Sequence, residues 1–366
     1  MKSKFVKFFK YLIVTLLTLL VIFMLSHQIV YWQQKPNSRE GTIGANAMVV
    51  SAHPLASEIG NKILKQGGNA YDAAIAVNFA LAVVYQQAGN IGGGGFMVHR
   101  QTDGSVGSID FREKAPIAAH QDMYLDEKGD VISGLSQEGH LAVGVPGTVD
   151  GMVQIHSKFA TMNWADLVAP AIGLAEKGFK LTSQGAGSLN SSYGSFEDNN
   201  HKEITVLAQD KWEEGNHITF PDLANTLKLI SINGREGFYG GSVADKIVAE
   251  MIKSDGLITH EDLNRYSAVW REAIETSFKG HKVITMPLPS SGGVSLVQLL
   301  KGAEQIDMAQ WDHNSTSHIH YMTELQRRAY ADRAEWLGDP DFVEVDVARL
   351  TSPDYIQNRN SDIDAQ

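Results

Sequence analysis

Gly89-Asn90-Ile91-Gly92-Gly93-Gly94-Gly95-Phe96-Met97, followed closely by Asp110-Phe111-Arg112-Glu113-Lys114-Ala115-Pro116, sets the architecture of this chain. Consecutive glycines open backbone dihedrals closed to other residues and let another segment approach closely. Apolar residues 96–98 start a strand. Asp103-Gly104 has turn chemistry, and residues 105–111 read as the hairpin partner. Arg112 falls at the end of that second strand. A guanidinium there, beside a glycine-lined gap, is shaped to hold a carboxylate through two parallel hydrogen bonds. An internal salt bridge with Glu113 or Asp110 is the alternative for the same side chain.

The glycine run is not a nucleotide loop. A Walker loop ends in Lys and then Ser or Thr, whereas Phe96-Met97 follows here. A dinucleotide fingerprint has a strand before the glycines and a helix after them. Here the order is reversed. Upstream, residues 54–66 read as an amphipathic helix stopped by Gly67-Gly68. Asn69 is placed to cap the next helix, residues 70–84, with Asp72 in its first turn. That helix is apolar nearly all round and rich in alanine, so it must be buried against a sheet or another helix. Residues 48–51 read as a first strand.

Downstream, helices are expected over 148–159, 164–177, 221–232, 243–253, 260–266, 294–305 and 317–337. A hairpin is expected over 273–278 and 281–287, turning at Lys279-Gly280. Residues 183–201, rich in Ser, Gly and Asn, read as a loop or lid. Pro289-Ser290-Ser291-Gly292-Gly293 reads as a structural turn, not a nucleophile elbow. On the last long helix, Asp332 is spaced to pair with an arginine across turns. Residues 337–342 read as its structural cap. The order of strands, helices, strands, helices favours a layered αββα sandwich over a doubly wound sheet.

The chain has 366 residues, enough for a sizeable core. Its formal net charge of -11 argues against nucleic acid as a partner. It has no cysteine, which removes disulfides, thiolate nucleophiles and Cys-based zinc sites. His313, His318 and His320 have some metal-ligand flavour, but neighbours two apart on a helix diverge. A histidine-rich helix start is the better reading, and no metal is expected. At the N-terminus, Lys2, Lys4, Lys7 and Lys10 precede an apolar run over residues 11–25, which resumes at Ile29-Val30-Tyr31-Trp32. The extended run reaches the roughly 20 residues needed to cross a bilayer. Residues 1–32 are expected to be an uncleaved signal anchor, with a cleaved signal peptide as the alternative. Residues 33–46 read as a linker and 47–366 as the globular domain, facing the periplasm or exterior.

Several landmarks stand in one order: the glycine run, Asp110-Phe111-Arg112-Glu113, Gly144-Val145-Pro146-Gly147-Thr148-Val149, Met286-Pro287-Leu288-Pro289-Ser290-Ser291-Gly292-Gly293, Ala331-Asp332-Arg333, and Leu337-Gly338-Asp339-Pro340-Asp341-Phe342. Together they resemble the large subunit of γ-glutamyltranspeptidases, also called glutathione hydrolases, from about Ala47 to about Tyr355. The resemblance implies a mixed α/β chain, the large-subunit part of a four-layer αββα sandwich of the N-terminal nucleophile hydrolase type. It implies that Arg112 binds the α-carboxylate of a γ-glutamyl substrate such as glutathione. It implies a precursor that cuts itself before a threonine. The new N-terminal Thr, with its own α-amine as base, attacks the γ-carbonyl and passes the glutamyl group to water or an amino-acid or peptide acceptor. That nucleophile belongs to a small catalytic subunit and has no match in this chain, so no catalytic residue is assigned here. No cofactor is implied. A related amide acylase subunit and a non-catalytic binding or assembly protein are the rivals.

Overall fold

A computed structural model describes residues 41, 43–199 and 211–364. Val49–Gln366 forms one compact unit. The expected anchor, residues 1–32, lies outside the described residues, as does most of the linker. No helix among the described residues is long and apolar enough to cross a membrane.

The elements in chain order are α1 (Pro54–Lys65), α2 (Ala70–Val84), β1 (Phe96–Arg100), β2 (Val106–Asp110), α3 (Thr148–Phe159), α4 (Trp164–Lys177), β3 (Phe179–Lys180), α5 (Ser183–Asn199) and β4 (His217–Ile218). They continue with α6 (Pro221–Asn233), α7 (Glu236–Tyr239), α8 (Gly241–Lys253), α9 (His260–Arg265), β5 (Val269–Arg271), β6 (Ile274–Phe278), β7 (His281–Thr285), α10 (Ser291–Ala303), α11 (Thr316–Trp336), α12 (Val347–Leu350) and α13 (Pro353–Asn360).

The alanine-rich helix α2 is the centre of the core. Ile75, Ala76, Phe79, Ala80 and Val83 have no solvent exposure. Its small side chains let α1 and α4 pack closely against it. Asn69 and Asp72 complete a capping box at its start. Asp72 also crosses to the turn after α3, accepting from Thr161 Oγ1 at 2.7 Å and from Met162 N at 3.1 Å. These bonds satisfy a carboxylate that has no contact with water.

The expected hairpin is present. β1 and β2 pair antiparallel, with Phe96 opposite Asp110 and Val98 opposite Ser108. β5 adds to the other edge of β2, with Arg271 opposite Ser108. The second expected hairpin, β6–β7, forms its own two-stranded sheet, as do β3 and β4. The described strands therefore make sheets of three, two and two in a mixed α/β chain.

Three other expectations change. Residues 48–51 are irregular rather than a strand. Residues 183–199 are helix, not loop. Ala186 and Leu189 of α5 join the core, and the Asn190 side chain exchanges two hydrogen bonds with the Trp212 backbone, each 2.8 Å. Tertiary contacts override the weak helix propensity of Ser, Gly and Asn. Asp332 does not pair within α11. It accepts from Arg359 Nε at 2.9 Å, Tyr355 Oη at 3.0 Å and Gln298 Nε2 at 3.0 Å, which docks α13 and α10 onto α11.

Candidate functional site

The glycine run shapes the end of the β1–β2 hairpin through close contact. None of Gly92, Gly93, Gly94 or Gly95 has a left-handed φ, so conformational freedom is not what they supply. A Cβ on Gly94 would meet Phe111 O at 2.5 Å, Arg112 Cα at 2.8 Å and Glu113 N at 2.8 Å. The Gly93 carbonyl accepts from Gly147 N at 2.7 Å and Thr148 N at 3.0 Å, which seats the start of α3 on the loop. Gly95 and Phe111 exchange backbone bonds of 3.3 and 3.0 Å, extending the ladder to the residue before Arg112.

Arg112 is thereby held by its backbone on several sides. Its N–H donates to Asp110 Oδ1 at 3.0 Å. Its carbonyl accepts from Tyr266 Oη at 2.8 Å. The Tyr266 ring stacks on Tyr239 with centroids 5.7 Å apart. Burial, reinforced by Tyr239 and nearby carboxylates, pushes the Tyr266 hydroxyl well above its ordinary pKa, so it stays a donor. Tyr239 Oη donates to Pro146 O at 2.8 Å. Beneath them Asp150, at the start of α3, accepts from Arg235 Nε at 2.9 Å and Ala268 N at 2.7 Å.

The Arg112 side chain is exposed and makes no ion pair or hydrogen bond among the described residues. It lines an open cleft of about 850 Å³. One wall is the glycine loop with Asp110 and residues 112–114. The other is built from residues 288–291, Arg333, Ala334, residues 337–339 and Asp341, with Arg271 lining it too. The turn at 289–293 and the cap at 337–342, both read from sequence as structural, thus border the same space as Arg112. The internal salt bridge weighed for Arg112 does not form. Asp110 is instead bound by Arg271, through Nε at 3.0 Å and Nη2 at 2.9 Å. The other side of that fork grips Asp341 with bonds of 3.0 and 2.9 Å. Arg271 holds the Asp341 carboxyl below the usual carboxylate range.

Sequence reading missed Arg271. It ends a three-residue strand whose partner, β2, lies far away in the chain, and no local pattern marks it.

The cleft lining shows no paired nucleophile and base among the described residues. Ser290 Oγ faces Gly292 N and caps α10, and Ser291 Oγ accepts from Arg333 Nε at 2.9 Å. No histidine lines the cleft among the described residues, so neither serine has an imidazole base beside it. Elsewhere, the His313 and His318 rings lie 5.6 Å apart, and His320 Nε2 meets Asp364 O at 2.9 Å. Among the described residues no group of three or more potential ligands could hold a metal ion.

Residues 56–366 match the family model described as Gamma-glutamyltranspeptidase. The chain is 45% identical over 330 residues to the glutathione hydrolase proenzyme of Pseudomonas sp. strain A14, covering 89% of this chain and 57% of that protein. It thus spans little more than half the length of that relative. The crystal structure of Helicobacter pylori gamma-glutamyltranspeptidase superposes with a TM-score of 0.86 at 42% identity, covering 89% of this chain and 94% of that one. The gamma-glutamyltranspeptidase of Pseudomonas nitroreducens, solved in complex with L-DON, gives 0.83 at 41% identity, covering 88% and 96%. Family match, long-range identity and shared fold agree with the order of motifs around the cleft: this chain belongs to the γ-glutamyltranspeptidase family.

Proposed function

We propose that this chain is the substrate-binding, large-subunit part of a glutathione hydrolase, and that Arg112 grips the α-carboxylate of γ-glutamyl compounds such as glutathione. The observation that carries the reading is a guanidinium with no protein partner among the described residues. Its backbone holds it at the mouth of a cleft where the Asp110 carboxylate is already occupied. An arginine fork satisfied by carboxylate geometry is what an amino-acid head group offers. A small subunit supplies the N-terminal threonine, attacks the γ-carbonyl and hands the glutamyl group to water or an acceptor amine. This chain binds and orients. The named activity of the relatives supports the reaction class, and their name "proenzyme" supports assembly from a precursor. The small subunit also completes the four-layer sandwich in this reading. The lysine-flanked apolar run at residues 11–32 tethers the assembly to a membrane, with the globular part outside the cytoplasm.

The test is steady-state kinetics on the enzyme assembled with its nucleophile-bearing half. A hydrogen-bonded charge is worth about 1.5–3 kcal/mol, so Arg112→Ala raises KM for a γ-glutamyl anilide by about ten- to a hundredfold. Arg112→Lys keeps the charge, loses the fork and falls between. An unchanged KM removes Arg112 from substrate binding. Ligand binding without turnover, under every pairing with a small subunit, would favour the non-catalytic rival instead.

A further inference from the structure

Asp110 lies two residues before Arg112 and is only 5% exposed. It lines the same cleft as Arg112, yet both its oxygens are engaged elsewhere. Oδ1 takes the Arg112 backbone N–H, and Oδ2 takes Arg271 at 3.0 Å. The remaining edge of the Arg271 fork binds both oxygens of Asp341, across the cleft. One guanidinium thus consumes two cleft carboxylates, and Arg112 is left open. We propose that Arg271 is a positioning residue that keeps Arg112 available to substrate by occupying Asp110 and Asp341, the anions that would otherwise neutralise it. This inference rests on Arg112 being the carboxylate-binding group.

The physical basis is competition. Asp110 and the Arg271 side chain, the latter 13% exposed, are shielded from water, so salt screens their attraction weakly. Without Arg271, Asp110 would be a buried anion with no cation, a state costly enough to recruit the nearest one. Arg112 has a long, exposed side chain, lies two residues away in sequence and shares the cleft. An Arg112–Asp110 or Arg112–Asp341 pair would be self-inhibitory: the binding-competent population falls, and apparent affinity falls with it. The fork geometry matters, because a lysine ammonium cannot present paired donors to both carboxylates in this way.

The experiment compares KM and kcat for a γ-glutamyl anilide in the assembled enzyme. Arg271→Met is expected to raise KM about tenfold, with kcat within about twofold of wild type. Adding Asp110→Asn and Asp341→Asn removes the charges that capture Arg112, while the amide oxygen introduced by Asp110→Asn still accepts from the Arg112 N–H. The triple variant is expected to regain a KM within about threefold of wild type. A bridge that merely braces the fold shows instead as a lowered denaturation midpoint with KM unchanged. If Arg271→Met does not fold, Arg271→Lys takes its place, and its raised KM is relieved by Asp341→Asn. An unchanged KM in the Arg271 variants, or a raised KM that neutralisation leaves raised, overturns the proposal. Arg112→Ala is run in parallel. Its failure to raise KM would sink the substrate reading itself, whereas its success beside unresponsive Arg271 variants would sink only the shielding role.

Discussion

Arg112 owes its availability to what its neighbours are doing. Asp110 turns the chain and engages Arg271, Tyr266 pins the Arg112 carbonyl, and Gly94 gives the backbone room to pass. The last of these is directly testable. Gly94→Ala drives a methyl into backbone atoms at 2.5–2.8 Å, which cannot swing aside as a side chain would. A loss of about 1–3 kcal/mol is expected, read as a lowered denaturation midpoint. Gly92→Ala is the control. Its Cβ would meet nothing within 4 Å and its φ is not left-handed, so a change within about 0.5 kcal/mol is expected. Equal losses in both variants would mean that the run is needed for backbone freedom after all. Arg112 and the gap beside it were legible in the sequence. Whether Arg112 closes an internal salt bridge with Asp110 was not, because Asp110 and Arg112 are local but Arg271 is distant.

Helix α2 shows how an element is tied into the fold by one charge. Asp72 caps its own helix through Asn69 N at 2.8 Å and reaches Thr161 and Met162 beyond α3. Burial alone would raise this carboxyl. The Thr161 hydroxyl and the backbone N–H groups outweigh it and hold the pKa below the usual range. The folded pKa is therefore below the unfolded value of about 3.9. The contribution to stability is complete above that value and is lost as pH falls through the folded pKa. Denaturation followed from neutral to acid pH should show this loss in the wild type. Asp72→Asn should be less stable at neutral pH, by about 2–4 kcal/mol, with a flatter acid limb. Parallel curves for the two proteins would show that Asp72 contributes nothing to the acid response. The capping box and the apolar face were readable in residues 69–84, since both are local patterns. Helix α5 was not readable, because Ser, Gly and Asn favour loops. Its order comes from Ala186, Leu189 and the Asn190–Trp212 exchange.

At the scale of the molecule, the chain offers a cleft and an incompletely covered sheet. Phe96 and Val98 remain 37% and 38% exposed on strand β1, which is hydrogen-bonded on one edge only among the described strands. The cleft presents Arg112, Lys114 and Arg333 but no paired nucleophile and base among its described lining residues. Purified by itself, the chain is expected to release no aniline from a γ-glutamyl anilide and no glutamate from glutathione. Addition of a nucleophile-bearing small subunit should restore turnover, followed by the absorbance of the released aniline. Turnover by the isolated chain would refute the division of labour between binding and bond-breaking halves.

Local patterns were enough to establish most of the longer helices, though not α5 or α13, together with the two hairpins, the buried character of α2, and Arg112 at a strand end beside glycines. Each follows from periodicity, caps and turn chemistry within a few residues. Which groups share the cleft was settled only by folding. Asp110, Arg271 and Asp341 come from distant parts of the chain and meet because β5 pairs with β2 and the segment after α11 folds against them. A carboxylate has no preferred arginine in an unfolded chain. Strand register brings one cation beside it, and that placement leaves the other free.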